Sequence, residues 1–318
     1  MAAGKWGESF LKSGLPLEHL THVTFRSLEW DCYPQFEYSR RNSDRAEAWF
    51  EVDLVANCPS FNRSTQLSML VECKYHDPSR YWFFLPHQAA GRWQFDDRVL
   101  NCGPFQTLRR PRADTLLRIA PLSSSAIVVS EDGTKQDNAA YTAIQQVVNG
   151  FVPCALSWAF SYNLDLEVEQ PGVTALVPVV VTNAALYRLK PEVTDLDLIR
   201  SASGPAEVAD QVDWTWCYHD VPSSLDAQNA RAVRRHARHF PELVYRFPKV
   251  EGAMYSFVER PNWVAVAHIR SLAAVVQSIA DAFQAVEMHD VKRLLGPTRR
   301  AGGRPRRRRP TGDSSGRR

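Results

Sequence analysis

Paired cysteines are missing from this chain. Cys32, Cys58, Cys73, Cys102, Cys154 and Cys217 lie far apart, with no C-x-x-C and no close Cys/His grouping. A disulfide framework or structural zinc site is therefore not expected, and free, mostly buried thiols are the simplest reading in a reducing compartment. Long apolar runs are missing as well. No stretch reaches the length of a membrane span, and the opening MAAGKWGESFLK lacks the hydrophobic segment of a signal peptide. A cytoplasmic chain with no membrane partner is therefore expected. There is no internal repeat, so the fold is not a repeat array.

A strong overall charge is also absent: the net value is +3. This small number hides an asymmetry, because residues 299–318 hold nine arginines against one acid, Asp313. The remainder has 29 basic and 34 acidic residues, a body near −5. Such a body has no global attraction for a polyanion, so any nucleic acid must be held by local patches, by bound metal or by the tail.

What is present is ordinary for a globular chain: 318 residues, 44% hydrophobic and 23% charged, enough for one large domain or two small ones. Leu17, Leu20, Val23 or Thr24, and Leu28 recur at helical spacing behind Pro16, which predicts a helix over 16–30. Residues 33–38 look extended, 48–56 (AWFEVDLVA) alternate with period two, and 67–75 (LSMLVECKY) form a β-rich apolar run. CPSFNRSTQ between the last two supplies turn residues, so a hairpin is expected. Residues 76–136 carry an aromatic patch (Tyr81, Trp82, Phe83, Phe84, Trp93, Phe95), the basic LRRPRADTLLR, and a short strand at 126–129. A helix follows over 138–160, interrupted near Gly150 and Pro153, then a buried strand with its exit over 174–189. A basic helical stretch over 226–239 and a strand-to-helix unit over 263–288 close the folded part. The Gly/Pro/Arg tail over 296–318 has no apolar periodicity and is expected to be disordered.

The hairpin carries the chemistry. Residues two apart on a strand share a face, so Glu72 and Lys74 point one way and Cys73 the other. On the partner strand Glu51 and Asp53 share a face, with Val52, Leu54 and Ala56 opposite. In register, Asp53 and Glu72 converge at one end of the sheet. Two adjacent carboxylates repel, and one protonates unless a cation neutralises them. Mg2+ commonly takes one or two protein carboxylates and completes its shell with water and phosphate oxygens. Lys74 beside it would orient or help deprotonate the attacking water. The plainer account of Glu72 and Lys74 is a cross-strand ion pair on an exposed face. Against it, the flanking LSML and Val71 suggest burial on both faces, where charge needs a reason.

With EVDLVANC, a turn and LVECKY on adjacent strands behind a glutamate-bearing helix, the chain resembles the PD-(D/E)XK nuclease superfamily. The resemblance implies an α/β fold: a restriction-endonuclease-like αβββαβ core with a central mixed sheet, here over 1–190 with an insertion at about 76–136. A C-terminal α/β extension of unassigned role covers 191–295. It further implies that Asp53 and Glu72 bind Mg2+, or Mn2+ in its place, and that Lys74 activates water. Many members complete the metal site with a glutamate on the first helix, which Glu18 matches because it opens helix 16–30, with Glu8 as the alternative. Some place a glutamine on the following helix, where Gln145 or Gln146 stands; a solvated helix face is the plainer account of both. Val52 replaces the motif's proline. The implied activity is a Mg2+-dependent DNA endonuclease of restriction or antiphage defence, acting as a homodimer or as a subunit of a defence complex. A catalytically silent or complex-dependent nucleic-acid-binding scaffold of the same fold is the rival.

Other features stay open. Arg231, Arg234, Arg235 and Arg238 occupy one helical face, equally suited to binding phosphates or to solvation beside neighbouring acids. The arginines of 107–118 line a channel or cover the insertion. Trp82–Phe84 read as core rather than as base-stacking platforms. His19, His22, His76 and His87 lack ligand spacing and are taken as ordinary residues, with His76 two positions beyond Lys74. The tail offers polyanion affinity without sequence readout, or no role.

Overall fold

A computed structural model of the protein describes residues 5–41, 47–58, 65–87, 101–102, 106–107, 118–132, 136–164, 173–220, 222–239 and 263–284. Two helices open it, α1 (Lys5–Lys12) and α2 (Leu15–Ser27), followed by β1 (Asp31–Arg41), β2 (Glu47–Asn57), β3 (Thr65–Lys74) and β4 (Arg80–Pro86). Three two-residue strands, β5 (Asn101–Cys102), β6 (Gln106–Thr107) and β8 (Gln136–Asp137), flank β7 (Leu122–Ser130) in sequence. Helix α3 (Ala139–Leu164) leads to β9 (Val173–Thr182) and β10 (Ala185–Leu189). The rest is α4 (Leu196–Ser201), α5 (Pro205–Val208), β11 (Ala209–Val212), β12 (Trp214–Tyr218), α6 (Ser223–His239), β13 (Trp263–His268) and α7 (Leu272–Gln284).

The protein is α/β, built on one large mixed sheet in the order β1-β2-β3-β9-β13-β12-β7-β4-β10-β11. β1, β2 and β3 run antiparallel, whereas β3, β9 and β13 run parallel. Parallel neighbours are buried on both faces and read as continuous apolar runs, which is what VPVVV of β9 and WVAVA of β13 supply.

Two cores lie on opposite faces of the sheet. On one, α3 and the buried side of α6 (Leu225, Val233) pack against Tyr38, Val52, Leu70, Trp82, Phe84 and Val128. On the other, α2 (Leu17, Phe25) and α7 (Val275, Val276, Ile279) cover Leu54, Met69, Val71 and Val179. The result is a helix–sheet–helix sandwich. Among the described residues no helix is long and apolar enough to cross a membrane.

Helix α3 corrects the expected interruption, because it runs through both Gly150 and Pro153. A Cβ on Gly150 would lie 2.7 Å from Val52 Cγ2 and 3.2 Å from Tyr38 Cε1, so glycine is what lets the helix approach β1 and β2 this closely. Pro153 has no N–H for the carbonyl of Asn149, four residues earlier. The guanidinium of Arg40 on β1 donates to that carbonyl instead. An outside donor thus stands in for the missing helical one, and the helix continues.

The stretch read as an insertion, 76–136, supplies β4 and β7 to the same sheet, and 191–295 supplies β11, β12 and β13. The patterns of β4 and β7 are poor guides: RYWFFLP has no polar alternation, and four of the nine residues of LSSSAIVVS are serine. The 296–318 tail and Arg109, Arg110 and Arg112 lie outside the described residues, as do Trp93 and Phe95.

Candidate active site

The site forms where β2 and β3 part. Their pairing runs from Asn57↔Ser68 to Leu54↔Val71, and one further step would set Asp53 opposite Glu72. On the outer side the β1–β2 pairing lapses between Pro34↔Leu54 and Phe36↔Val52, where Gln35 adopts a left-handed backbone at φ 57°. Strict alternation in β2 is broken there, which corrects the expected face assignment. Val52 joins Val55 in the core beneath α3, while Leu54 and Ala56 face α2. The distortion sends the Asp53 carboxylate across to β3, where Oδ2 accepts the backbone N–H of Cys73 at 2.6 Å.

On β3 the alternation holds. Leu70 belongs to the core under α3, whereas Val71 and Cys73 belong to the core under α2. Cys73 Sγ donates to Thr21 Oγ1 of α2 at 3.4 Å. Glu72 and Lys74 therefore lie on the α3 side, and Glu72 is only 4% exposed.

A buried carboxylate without compensation is costly, and this one is poorly compensated: Glu72 Oε2 has no hydrogen-bond partner. Burial, then the neighbouring Asp53, push Glu72 up to about 9, with Lys74 pulling the other way. Asp53 rises to about 6, also chiefly through burial, offset by the Cys73 amide and Lys74 and augmented by Glu18 and Glu51. Glu18, in the first turn of α2, is raised by burial and by Glu51. Its charge reaches both Asp53 and Glu72, whereas exposed Glu8 of α1 acts on Tyr75 instead. Of the two helical glutamates, Glu18 is the one coupled to the pair.

The residues fit a divalent cation. Two carboxylates forced together, one with an orphaned buried oxygen, ask for positive charge, and hard oxygen donors are what Mg2+ takes. Among the described residues no three His, Cys, Asp or Glu side chains gather into a closed metal cluster. A two-carboxylate site leaves the remaining positions to water and phosphate oxygens, as Mg2+ prefers.

Residues that the sequence did not flag hold this arrangement. Thr182, at the end of β9, donates to the Lys74 carbonyl at 2.8 Å. Asn183 clamps His76 from both sides: its Oδ1 accepts the His76 N–H and its Nδ2 donates to the His76 carbonyl, each at 2.7 Å. The polar Thr-Asn pair closing a valine run was the available signal. Tyr38 and Arg40 form a second group on the α3 side. The Tyr38 phenol is pushed up to about 12 by burial, against the pull of Arg40 and with a further push from Glu72.

The remaining candidates separate. His76 is buried edge-on against Trp82, and His87 stacks on Tyr218, while His19 is exposed on α2. Trp82 and Phe84 are fully buried, as core residues should be, and Phe83 stacks on Tyr187. Gln145 is half-buried, and Gln146 is not on a solvated face: its Oε1 is buried without a partner. Arg231, Arg234, Arg235 and Arg238 are all exposed on α6. Cys32, Cys58, Cys73, Cys154 and Cys217 are free thiols. No protein-family model, curated protein or solved structure matches the chain.

Proposed function

We propose that this protein is a Mg2+-dependent phosphodiesterase, a DNA endonuclease of restriction or antiphage defence, whose restriction-endonuclease-like core is α2-β1-β2-β3-α3-β9. One observation carries the reading: Asp53 Oδ2 accepts the Cys73 N–H at the diverging end of β2 and β3, next to buried Glu72, whose Oε2 has no partner and which burial and Asp53 hold far above ordinary carboxylate values. Structural ion pairs lower carboxylate values, whereas burial and like charge raise them, and groups tuned in this way cluster at functional sites.

Asp53 and Glu72 would hold the ion, and a bound Mg2+ or Mn2+ would polarise the phosphate and make the water a stronger nucleophile. Lys74 lies on the face of Glu72 and orients the attacking water as a hydrogen-bond donor. Glu18 adds negative charge from α2 and tightens the site for a cation. The Cys73 N–H fixes one Asp53 oxygen and leaves the other for the ion.

The test is incubation of plasmid DNA, single-stranded DNA and RNA with Mg2+ or with EDTA, beside Lys74→Ala and Asp53→Ala proteins. Cleavage should require the metal and be lost in both variants without a change of fold by circular dichroism. Equal cutting by Lys74→Ala and the parent would overturn the assignment. A subunit active only within a complex is the second reading. The exposed Trp6, Phe10, Leu11 and Leu15 of the α1–α2 region favour it, since adjacent exposed apolar residues mark contact surfaces.

A further inference from the structure

Helix α6 is a basic strip on an acidic body. It carries four arginines against one acid, Asp226, whereas outside it and the 299–318 tail the chain has 25 basic and 33 acidic residues. Arg231, Arg234, Arg235 and Arg238 are exposed, and none of them makes an ion pair with another described residue. Among the described residues no ion pair balances the four guanidinium groups. The opposite side of the helix is anchored: Leu225, Asn229 and Val233, four residues apart, are buried.

The anchor leads toward the candidate site. Arg40 of β1 donates to Asn229 Oδ1 and to Gln228 Oε1 of α6, each at 3.2 Å, and to the carbonyl of Asn149 on α3. Arg40 is two residues from Tyr38 on the same face of β1, and Tyr38 belongs to the core beneath α3, the side on which Glu72 lies. The basic strip is therefore fixed, through one guanidinium, to β1 and α3, whose core covers the sheet face on which Glu72 lies.

We propose that α6 is a phosphate rail: its arginine face holds the backbone of the nucleic-acid substrate, and Arg40 locks that helix in place relative to Asp53 and Glu72. The role relative to the carboxylates rests on the function proposed above, but binding along α6 does not. From Arg231 to Arg238 the strip spans about 10 Å at 1.5 Å per residue, room for roughly three phosphates of one strand. Guanidinium groups suit this task because they bind phosphate oxygens in a bidentate fashion.

The experiment is fluorescence anisotropy of full-length protein with labelled duplex DNA, duplex RNA and single-stranded DNA, in EDTA and over a range of NaCl. The parent is compared with an Arg231→Gln, Arg234→Gln, Arg235→Gln, Arg238→Gln quadruple variant. Because all four side chains are exposed, the variant should fold as the parent does, which thermal unfolding checks. In at least one arm the variant should lose tenfold or more in affinity, and its log–log salt slope should fall by roughly 2 to 3. The arm losing most identifies the nucleic acid. Unchanged affinity and slope in every arm would overturn the rail while leaving the carboxylate site untouched. Absence of cleavage with intact, arginine-dependent binding would sink the nuclease and spare the rail.

Discussion

Replacing Glu72 by Gln should make the metal-free protein more stable, and increasingly so as pH rises. In the unfolded chain this carboxyl titrates near 4.5; in the fold, burial and Asp53 hold it up to about 9. Below pH 4.5 both states are protonated and the group has no effect. Above that, the unfolded state sheds its proton while the folded state keeps it. Stability is therefore lost as pH rises from 4.5 toward 9, at about 1.4 kcal/mol per unit. At about pH 7.5 the ceiling is roughly 4 kcal/mol, and local relaxation around a buried charge brings the expected gain to about 2 kcal/mol. Glutamine has the same shape and does not titrate. In EDTA, Glu72→Gln should melt roughly 5 °C above the parent at about pH 8, with the difference vanishing at about pH 5. Mg2+ should reverse the order at pH 8, stabilising the parent through the ionised pair and leaving the variant unmoved. Scanning fluorimetry at the two pH values, with and without Mg2+, reads all four conditions. A pH-independent difference, or a variant destabilised throughout, would refute the strained-carboxylate argument.

Gly150→Ala should destabilise by about 1 to 3 kcal/mol in urea titrations, because the new methyl meets Val52 and Tyr38 and overpacking outweighs the better helix propensity of alanine; a stabilised variant would show that α3 does not sit this close to β2. Arg40→Met should cost about 2 to 3 kcal/mol by stripping donors from Asn149, Gln228 and Asn229. Pro153→Ala should recover roughly 1 kcal/mol more in the Arg40→Met background than in the parent, since an alanine at that position supplies the N–H that Arg40 replaced. Strict additivity in this double-mutant cycle would deny that the two residues share the carbonyl.

Much of the site lay open in the sequence. EVD and E-x-K on neighbouring β-rich runs needed only the period of two to place Glu72 and Lys74 on one face, and the turn residues between them to bring Asp53 near. Helix α2, strands β1 to β3, β9 and β13 were legible for the same reason: their apolar spacing matches one regular period, and burial enforces it. β4 was not read as a strand and β7 only over 126–129, and neither was assigned to the sheet, because an unbroken aromatic run and a serine-rich start carry no period and both strands find their partners far away in sequence.

The chain by itself determined which residue types meet at the hairpin, since local periodicity fixes facing and short turns fix proximity. Only the tertiary structure decided how costly that meeting is. Burial beneath α3, a lapse in pairing opposite Gln35, and the approach of Glu18 set the carboxylates far from their ordinary behaviour. It also decided that Pro153 does not end its helix, because the donor it lacks arrives from Arg40, more than a hundred residues earlier. Such compensation depends on distances across the fold, and no window along the sequence contains both partners.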